Sequence, residues 1–230
     1  MQAFLEEAKR SSRTIANLST AVKNKVLNEM ADALMNHCDF IISHNEKDMM
    51  DARVNNLSES LQDRLLLTGQ RVKDMADAIR QIASQLEPVG RILDGWVTKD
   101  GLNIQKVSIP IGVIGIIYES RPNVTSDTAA LCFKSGNVCV LKGGKEAEHS
   151  NKAIAVVLKE VLAKNKLPEQ AISLLPDSSR EGVAKLIKQD KFVDLIVPRG
   201  GEELIKYVSK NSSIPVIKHD KGLCHIFVDK

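Results

Sequence analysis

Residues 113–141 read VIGIIYESRPNVTSDTAALCFKSGNVCVL, and this stretch decides the fold. An apolar run at 113–118 precedes a segment with helical periodicity near 124–135, and a second apolar run follows at 138–141. Short runs that are apolar on both faces, joined by an amphipathic helix, are typical of parallel strands in a sheet that helices cover on both sides. The stretch therefore predicts a strand–helix–strand unit with a right-handed crossover.

The same alternation continues toward the C-terminal end of the chain. Further apolar runs lie at 172–175, 193–197 and 215–217, and helix-like segments lie near 147–165, 179–189 and 201–210. A last strand is predicted at His225–Asp229. We therefore predict an α/β fold, with a Rossmann-like parallel sheet and flanking helices over residues 110–230.

The first 87 residues have a different pattern, because their apolar positions recur at intervals of three and four. This periodicity predicts a helical N-terminal region over residues 1–87, with helices near 2–17, 20–38, 39–53 and 61–84. Ser19 or Thr20 is the expected cap of the second helix, and Ser58 or Ser60 that of the fourth. Pro88-Val89-Gly90 marks the end of this helical region.

Residues 91–109 show the alternation of extended, partly exposed strands. Ile92, Asp94 and Trp96 differ from their neighbours, and apolar positions bracket polar ones over 102–109. A protruding strand or hairpin with one apolar face needs a covering surface. The segment 96–109 is therefore a candidate for homo-oligomer formation.

Charge and aromatic content disfavour a nucleic-acid partner. Lys and Arg number 32 against 29 Asp and Glu, which leaves a net charge of only +3, and the chain has five Phe, two Tyr and one Trp. Little positive charge is available to neutralise phosphates, and few rings are available for base stacking.

The apolar runs, the cysteines and the histidines indicate what to expect of membrane association, compartment and metal binding. The longest apolar run, 111–118, is far shorter than the roughly 20 residues that span a bilayer, and the N-terminus lacks the apolar core of a secretory signal. Four cysteines without a CxxC pair suit reduced thiols, so we expect a cytoplasmic protein that is not bound to a membrane. The five histidines lack metal-binding spacing, so we expect no metal site.

Polar residues follow each predicted strand, at the edge where ligands bind in open parallel sheets. These segments are Glu119-Ser120-Arg121-Pro122-Asn123, Lys142-Gly143-Gly144-Lys145, Pro176-Asp177-Ser178-Ser179 and Pro198-Arg199-Gly200-Gly201. Gly200-Gly201 opens a helix and suits a pyrophosphate, and Lys142 and Lys145 suit a ribose that carries a 2′-phosphate. The alternative is that the glycines permit turns and the lysines solubilise loops. Neither GxGxxG nor a Walker P-loop is present.

Asn123 follows Arg121-Pro122 at the start of a predicted helix. Because proline restricts the backbone there, the Asn123 amide could be aimed at a developing oxyanion. Asparagine is equally a common helix cap, and the residues alone favour that interpretation.

The run PIGVIGIIYESRPNVTSDTAALCFKSGNVCVLKGGKEAEHSN resembles the core signature of the gamma-glutamyl phosphate reductases, or glutamate-5-semialdehyde dehydrogenases, of the aldehyde dehydrogenase superfamily. DRLLLTGQRVKDMADAIRQIASQLEPVGRI, VPRGGEELIKYV and GLCHIFVD also match, so the resemblance covers essentially the whole chain. It implies NADPH-dependent reduction of L-glutamyl 5-phosphate to L-glutamate 5-semialdehyde, with release of phosphate, in proline biosynthesis.

The resemblance also implies roles for individual residues. Asn123 matches the oxyanion donor, Lys142 the contact to the adenosine ribose, and Gly200-Gly201 the pyrophosphate site. Lys145 stands where NAD-preferring relatives have a glutamate that binds the 2′-hydroxyl, which favours NADPH, and Gly143-Gly144 lies within the same motif. Arg121 is a candidate contact to the phosphate or carboxylate of the substrate.

One feature of the family is missing. Its nucleophilic cysteine lies in a motif resembling RPGTCNA, in a second domain that these 230 residues do not contain. We therefore expect residues 1–230 to be a cofactor-binding domain that is inactive alone. The alternative is a truncated, non-catalytic NADP(H)-binding module. Cys224 matches a strand position of the family, and Cys132 and Cys139 lie in predicted core elements, so none of them is expected to replace the nucleophile.

Overall fold

The fold is taken from a computed structural model that describes residues 1–218 and 227–228. Cys224 and most of the strand predicted at His225–Asp229 lie outside the described residues.

Five helices form the N-terminal region: α1 Gln2–Ala16, α2 Thr20–Asn36, α3 Cys38–Val54, α4 Glu59–Leu65 and α5 Gly69–Ser84. Ser19 caps α2 as predicted, because its Oγ accepts a hydrogen bond of 3.4 Å from the backbone N–H of Val22. Ser58 occupies the N-cap position of α4 but makes no side-chain capping bond.

The prediction of one helix over 61–84 was wrong, because the chain breaks between α4 and α5. The buried Asn45 causes the break: its Nδ2 donates to the carbonyl of Leu65 at 2.8 Å, and its Oδ1 accepts from the N–H of Leu67 at 2.7 Å. Thr68 then caps α5 by accepting from the N–H of Arg71 at 3.2 Å. A long-range side-chain contact thus replaces the hydrogen bonds of the missing helical turn.

The segment predicted as extended forms an antiparallel hairpin of β1, Ile92–Val97, and β2, Asn103–Val107. Every residue of both strands is exposed. The hairpin is rooted at Ser108, whose Oγ donates to the carbonyl of Pro88 at 2.6 Å.

The remaining elements alternate as predicted: β3 Val113–Tyr118, α6 Asn123–Lys134, β4 Val138–Lys142, α7 Glu148–Lys164, β5 Ile172–Leu174, α8 Arg180–Leu186, β6 Leu195–Arg199 and α9 Glu202–Asn211. The four strands form a parallel sheet in the order β5–β4–β3–β6. The strand predicted at 215–217 is reduced to a single parallel bridge between Val216 and Ile196.

One hydrophobic core joins the sheet to most of the N-terminal helices. All six residues of β3 are buried, as expected for a central strand with helices on both faces. Helix α1 contacts β3 and β4, while α2 packs on α5 and α7. Because these helices cover the sheet, residues 1–87 do not form a separate core.

Candidate functional site

The carboxyl ends of β4, β3 and β6 lie side by side. In the parallel register, Ile117 of β3 pairs with Lys142 of β4, and Tyr118 pairs with Arg199 of β6. The polar segments after these three strands therefore meet at one edge of the sheet, as the sequence predicts. This is the edge at which parallel α/β sheets bind ligands.

Gly200 and Gly201 lie at the start of α9, which begins at Glu202. The backbone N–H of Gly201 donates to Oε2 of Glu119 at 2.9 Å, so a carboxylate already occupies this helix terminus. A side chain on Gly200 would collide with Glu119 and Leu204, whereas one on Gly201 would have only Glu119 nearby, at 3.9 Å. Gly201 thus has room at its Cβ position, and its N–H already donates to a carboxylate, so this helix start can hold an anion.

The segment after β4 borders a cavity of about 170 Å³. Its wall includes Lys142, Gly143, Gly144, Pro176 and Ser178. Burial lowers the pKa of Lys142, while the nearby carboxylates of Glu146 and Glu119 oppose the shift. Lys142 therefore presents a partly desolvated ammonium group to this cavity.

Lys145 begins a 3₁₀ turn, Lys145–Ala147, and its side chain is exposed. Gly143 has a packing reason to be glycine, because a Cβ would collide with the amide of Asn151. Packing against Asn151 therefore explains why residue 143 is a glycine, and no ligand is needed to explain it.

Glu146 is a site residue that the sequence reasoning missed. Its Oε1 accepts from the N–H of Ser120 at 2.7 Å and from the Ser120 hydroxyl at 2.6 Å. Burial alone would raise the pKa of Glu146, but these hydrogen bonds and the charge of Lys142 outweigh it and lower the pKa. The bonds tie the segment after β3 to the segment after β4, and they hold Ser120 at a φ of 26°.

Asn123 is the first residue of α6, and Pro122, not Asn123, occupies the N-cap position. The Asn123 Nδ2 donates to Oδ2 of Asp127 at 2.9 Å, one helical turn further along. The structure thus does not bear out the helix-cap interpretation, and one N–H of the amide remains for another acceptor. Asp127 was missed, although its i+4 spacing from Asn123 was a usable signal.

A second cavity, of about 420 Å³, lies between α4–α5 and the start of α6. Arg121, Asn123 and Asp127 contribute to its wall, and the exposed Arg121 lies at its rim. The cavity thus borders Asn123.

The two cysteines in the described part of the α/β region are both almost inaccessible to solvent. Cys132 and Cys139 are buried, and a hydrogen bond with Cys132 together with burial raises the pKa of the Cys139 thiol well above its usual range. Because both thiols are buried, neither is placed to act as a nucleophile. Among the described residues, no three His, Cys, Asp or Glu side chains are grouped to hold a metal ion, and no helix is long and apolar enough to cross a bilayer.

Comparison with known proteins agrees with this fold. The family model for the aldehyde dehydrogenase family matches residues 1–219, and the chain belongs to that family. A gamma-glutamyl phosphate reductase from Aliarcobacter butzleri is 80% identical over 230 residues, which are 100% of this chain and 56% of that protein.

Solved structures show the same similarity. The crystal structure of gamma-glutamyl phosphate reductase from Thermotoga maritima matches with a TM-score of 0.91 and 38% identity, over 94% of this chain and 52% of that one. An engineered glycolyl-CoA reductase with bound NADP⁺ shares the fold at a TM-score of 0.69 and 16% identity, over 94% and 45% of the two chains. The chain thus spans about half the length of the relatives it matches.

Proposed function

We propose that this chain is the cofactor-binding portion of an NADPH-dependent enzyme that reduces L-glutamyl 5-phosphate to L-glutamate 5-semialdehyde and phosphate, in proline biosynthesis. The observation that carries the proposal is the 80% identity, over the whole chain, to a gamma-glutamyl phosphate reductase. At that level of identity, the residues at the sheet edge are expected to serve the same reaction.

When bound, NADPH supplies the hydride that reduces the acyl group. Gly200 and Gly201 offer the start of α9 to the pyrophosphate, and the partly buried Lys142 faces the ribose. Gly143 and Gly144 line the Lys142 cavity, and Lys145 gives a 2′-phosphate an exposed cation. The positive charge of Lys145 favours NADPH over NADH, because a 2′-phosphate forms charge-assisted hydrogen bonds with an ammonium group.

Asn123 is assigned the oxyanion donor, and Arg121 a contact to the phosphate or carboxylate of the substrate. The free N–H of Asn123 supports the first role, because a preorganised amide stabilises negative charge that develops on the acyl oxygen. The family's chemistry uses a cysteine thioester, and we place that cysteine outside these 230 residues.

The proposal also covers the domain organisation, self-association and location of the chain. Residues 1–230 act as one cofactor-binding domain, which comprises the helical region 1–87, the hairpin segment 91–109 and the Rossmann-like core 110–230. The exposed apolar strands of the hairpin support a homo-oligomer through residues 96–109. A cytoplasmic location and the absence of nucleic-acid and membrane partners follow from the composition.

The test uses both this chain and the complete gene product. We expect the 230 residues to bind NADPH in a fluorescence titration but to release no phosphate from glutamyl phosphate, whereas the complete protein turns over. Turnover by the chain alone would refute the placement of the nucleophile, and failure to bind NADPH would refute the cofactor site. The alternative, a non-catalytic NADP(H)-binding module, predicts a stop codon directly after codon 230.

A further inference from the structure

The cavity of about 420 Å³ beside Asn123 carries both signs of charge on its wall. Its charged residues are Asp63, Arg64, Arg71, Asp74, Arg121 and Asp127. A wall with this many opposite charges suits a small ligand that carries ammonium and anionic groups together.

Several of these charges are already used within the protein. Arg71 donates to Oδ1 of Asp63 and to the carbonyl of Leu66, each at 2.8 Å, and so holds the turn between α4 and α5. Asp74 accepts from the side-chain amide of Gln70 at 2.8 Å. Among the described residues, the charged groups of this wall that form no salt bridge are Arg64, Asp74, Arg121 and Asp127. Of the two carboxylates, Asp74 is exposed and Asp127 is half-buried.

Asp127 lies next to Asn123, the proposed oxyanion donor. It is half-buried on α6, and its Oδ2 accepts from Asn123 at 2.9 Å. Over the residues that the structure describes, no Lys, Arg or His forms a salt bridge with it. Burial raises the pKa of the Asp127 carboxyl, against hydrogen bonds from Asn123 and Ser126. A partly desolvated carboxylate without a cation is stabilised when a ligand brings one.

We propose that Asp127 binds the α-ammonium group of the amino-acid substrate and makes the site specific for it. This assignment rests on the proposed function. The free N–H of Asn123 then meets the acyl oxygen, and the anionic groups of the substrate lie toward Arg64 and Arg121. Only two methylene groups separate the acyl carbon from the α-carbon of a glutamyl chain, so one small molecule reaches both Asn123 and Asp127.

The chemistry of Asp127 predicts strong discrimination. An analogue without the amino group would leave the Asp127 carboxylate partly buried and unpaired, and sites that lose a required polar partner commonly reject the analogue by about 10²-fold or more. A residue that only positions Asn123 would act differently, because it would affect both substrates equally.

The test compares two aldehydes in the reverse reaction of the complete protein, with NADP⁺ and phosphate. One is L-glutamate 5-semialdehyde, and the other is 5-oxopentanoate, which lacks the α-amino group. We expect the wild-type protein to prefer the first by about 10²-fold in kcat/KM. The Asp127→Asn variant should lower this preference to under about tenfold, through a higher KM for the amino substrate, with little change for 5-oxopentanoate.

Several outcomes would overturn the assignment. An equal loss of kcat for both aldehydes would reduce Asp127 to a positioning residue for Asn123. Should Asp127→Asn fail to fold, the wild-type protein still decides, because activity without a preference for the amino substrate contradicts the role of Asp127. A wild-type protein that oxidises neither aldehyde would overturn the proposed function itself. Asp77→Asn, in an exposed ion pair with Arg80, is the control that should leave the preference unchanged.

Discussion

The carboxylate of Glu119 lies on the first turn of α9, with 2.9 Å between its Oε2 and the backbone nitrogen of Gly201. Glu119 follows β3 directly, whereas Gly201 follows β6. The contact therefore joins the segments that follow two neighbouring strands of the sheet. The helix start proposed for the cofactor's pyrophosphate is thus occupied by an anionic side chain of the protein. Glu119 has to leave this position when a pyrophosphate binds there.

Removing the charge of Glu119 should therefore strengthen NADPH binding. Anions at a helix N-terminus are stabilised by about 0.3–1 kcal/mol, so Glu119→Gln should lower the Kd for NADPH by roughly two- to fivefold. A fluorescence titration of NADPH measures the change. Glu7→Gln, an exposed residue of α1, is the matched control and should leave the Kd unchanged. Weaker binding by Glu119→Gln would show that the carboxylate supports the cofactor site.

Reversing the charge of Lys145 should change cofactor preference. We expect Lys145→Glu to lower affinity for NADPH by about tenfold or more and to change affinity for NADH little, because only NADPH brings a 2′-phosphate to this cation. Parallel titrations of the two cofactors give the ratio. Lys191→Glu, at an exposed position after α8, should leave the ratio as it is. An unchanged ratio in Lys145→Glu would contradict the 2′-phosphate role.

Placing a charge on the hairpin should prevent self-association. Val97 is 67% exposed in the single chain, so Val97→Asp should alter the free energy of unfolding by no more than about 0.5 kcal/mol. An interface that buries this side chain would be strongly weakened, because an unpaired charge would lose its hydration. Light scattering should then report a smaller mass than for the unmodified chain. Val54→Asp, at a 79% exposed position on α3, should keep the original mass, and two variants of equal mass would exclude the hairpin interface.

The buried ion pair at the root of the hairpin should contribute strongly to stability. The Lys23 ammonium, with 2% of its side chain exposed, lies 2.5 Å from Oε1 of Glu87. Glu87→Gln would leave the buried Lys23 without its carboxylate partner, which should cost about 3–5 kcal/mol in the free energy of unfolding. Urea denaturation measures this loss. The exposed pair of Glu6 with Arg10 is the comparison, since Glu6→Gln should cost less than about 1 kcal/mol.

The same pair has a defined pH dependence. Burial alone would raise the pKa of Glu87, but hydrogen bonds from Lys23 and from the N–H of Val89 outweigh it and lower the pKa below its ordinary 4.5. A carboxylate with a lowered folded-state pKa stabilises the protein above the unfolded value, and this stability is lost as the pH falls through the folded value. Acidification below pH 4.5 should therefore destabilise the wild-type chain more than Glu87→Gln. Parallel acid titrations with equal slopes in both proteins would contradict this.

Several features of the fold could be predicted from local patterns. The apolar runs of β3 and β4 predicted buried parallel strands, because a strand that is apolar on both faces is stable only beneath helices on both sides. The exposed hairpin followed from its alternating side chains. The break after Leu65 could not be predicted, because it depends on the side chain of Asn45, which lies 20 residues earlier in the chain.

The residues of the candidate site likewise differ in whether the sequence alone identifies them. Lys142, Lys145, Gly200 and Asn123 were identifiable because they follow strands or begin helices in the sequence. The roles of Glu119 and Glu146 were not, since they depend on which atoms these carboxylates contact, whereas the i+4 spacing of Asp127 from Asn123 was a usable signal. Spacing along a chain indicates where a strand ends, but it does not indicate which backbone N–H a carboxylate will meet.

By itself, the sequence determined the order of strands and helices and the edge at which polar groups collect, because hydrophobic periodicity is a local property of each segment. Only the tertiary structure decided which of those groups meet. The sheet order β5–β4–β3–β6 brings Lys142 and Arg199 to either side of the end of β3, and it sets Glu119 against Gly201. The physical reason is that parallel pairing joins distant segments, so the charge and hydrogen bonding at the site depend on register and not on neighbours in sequence.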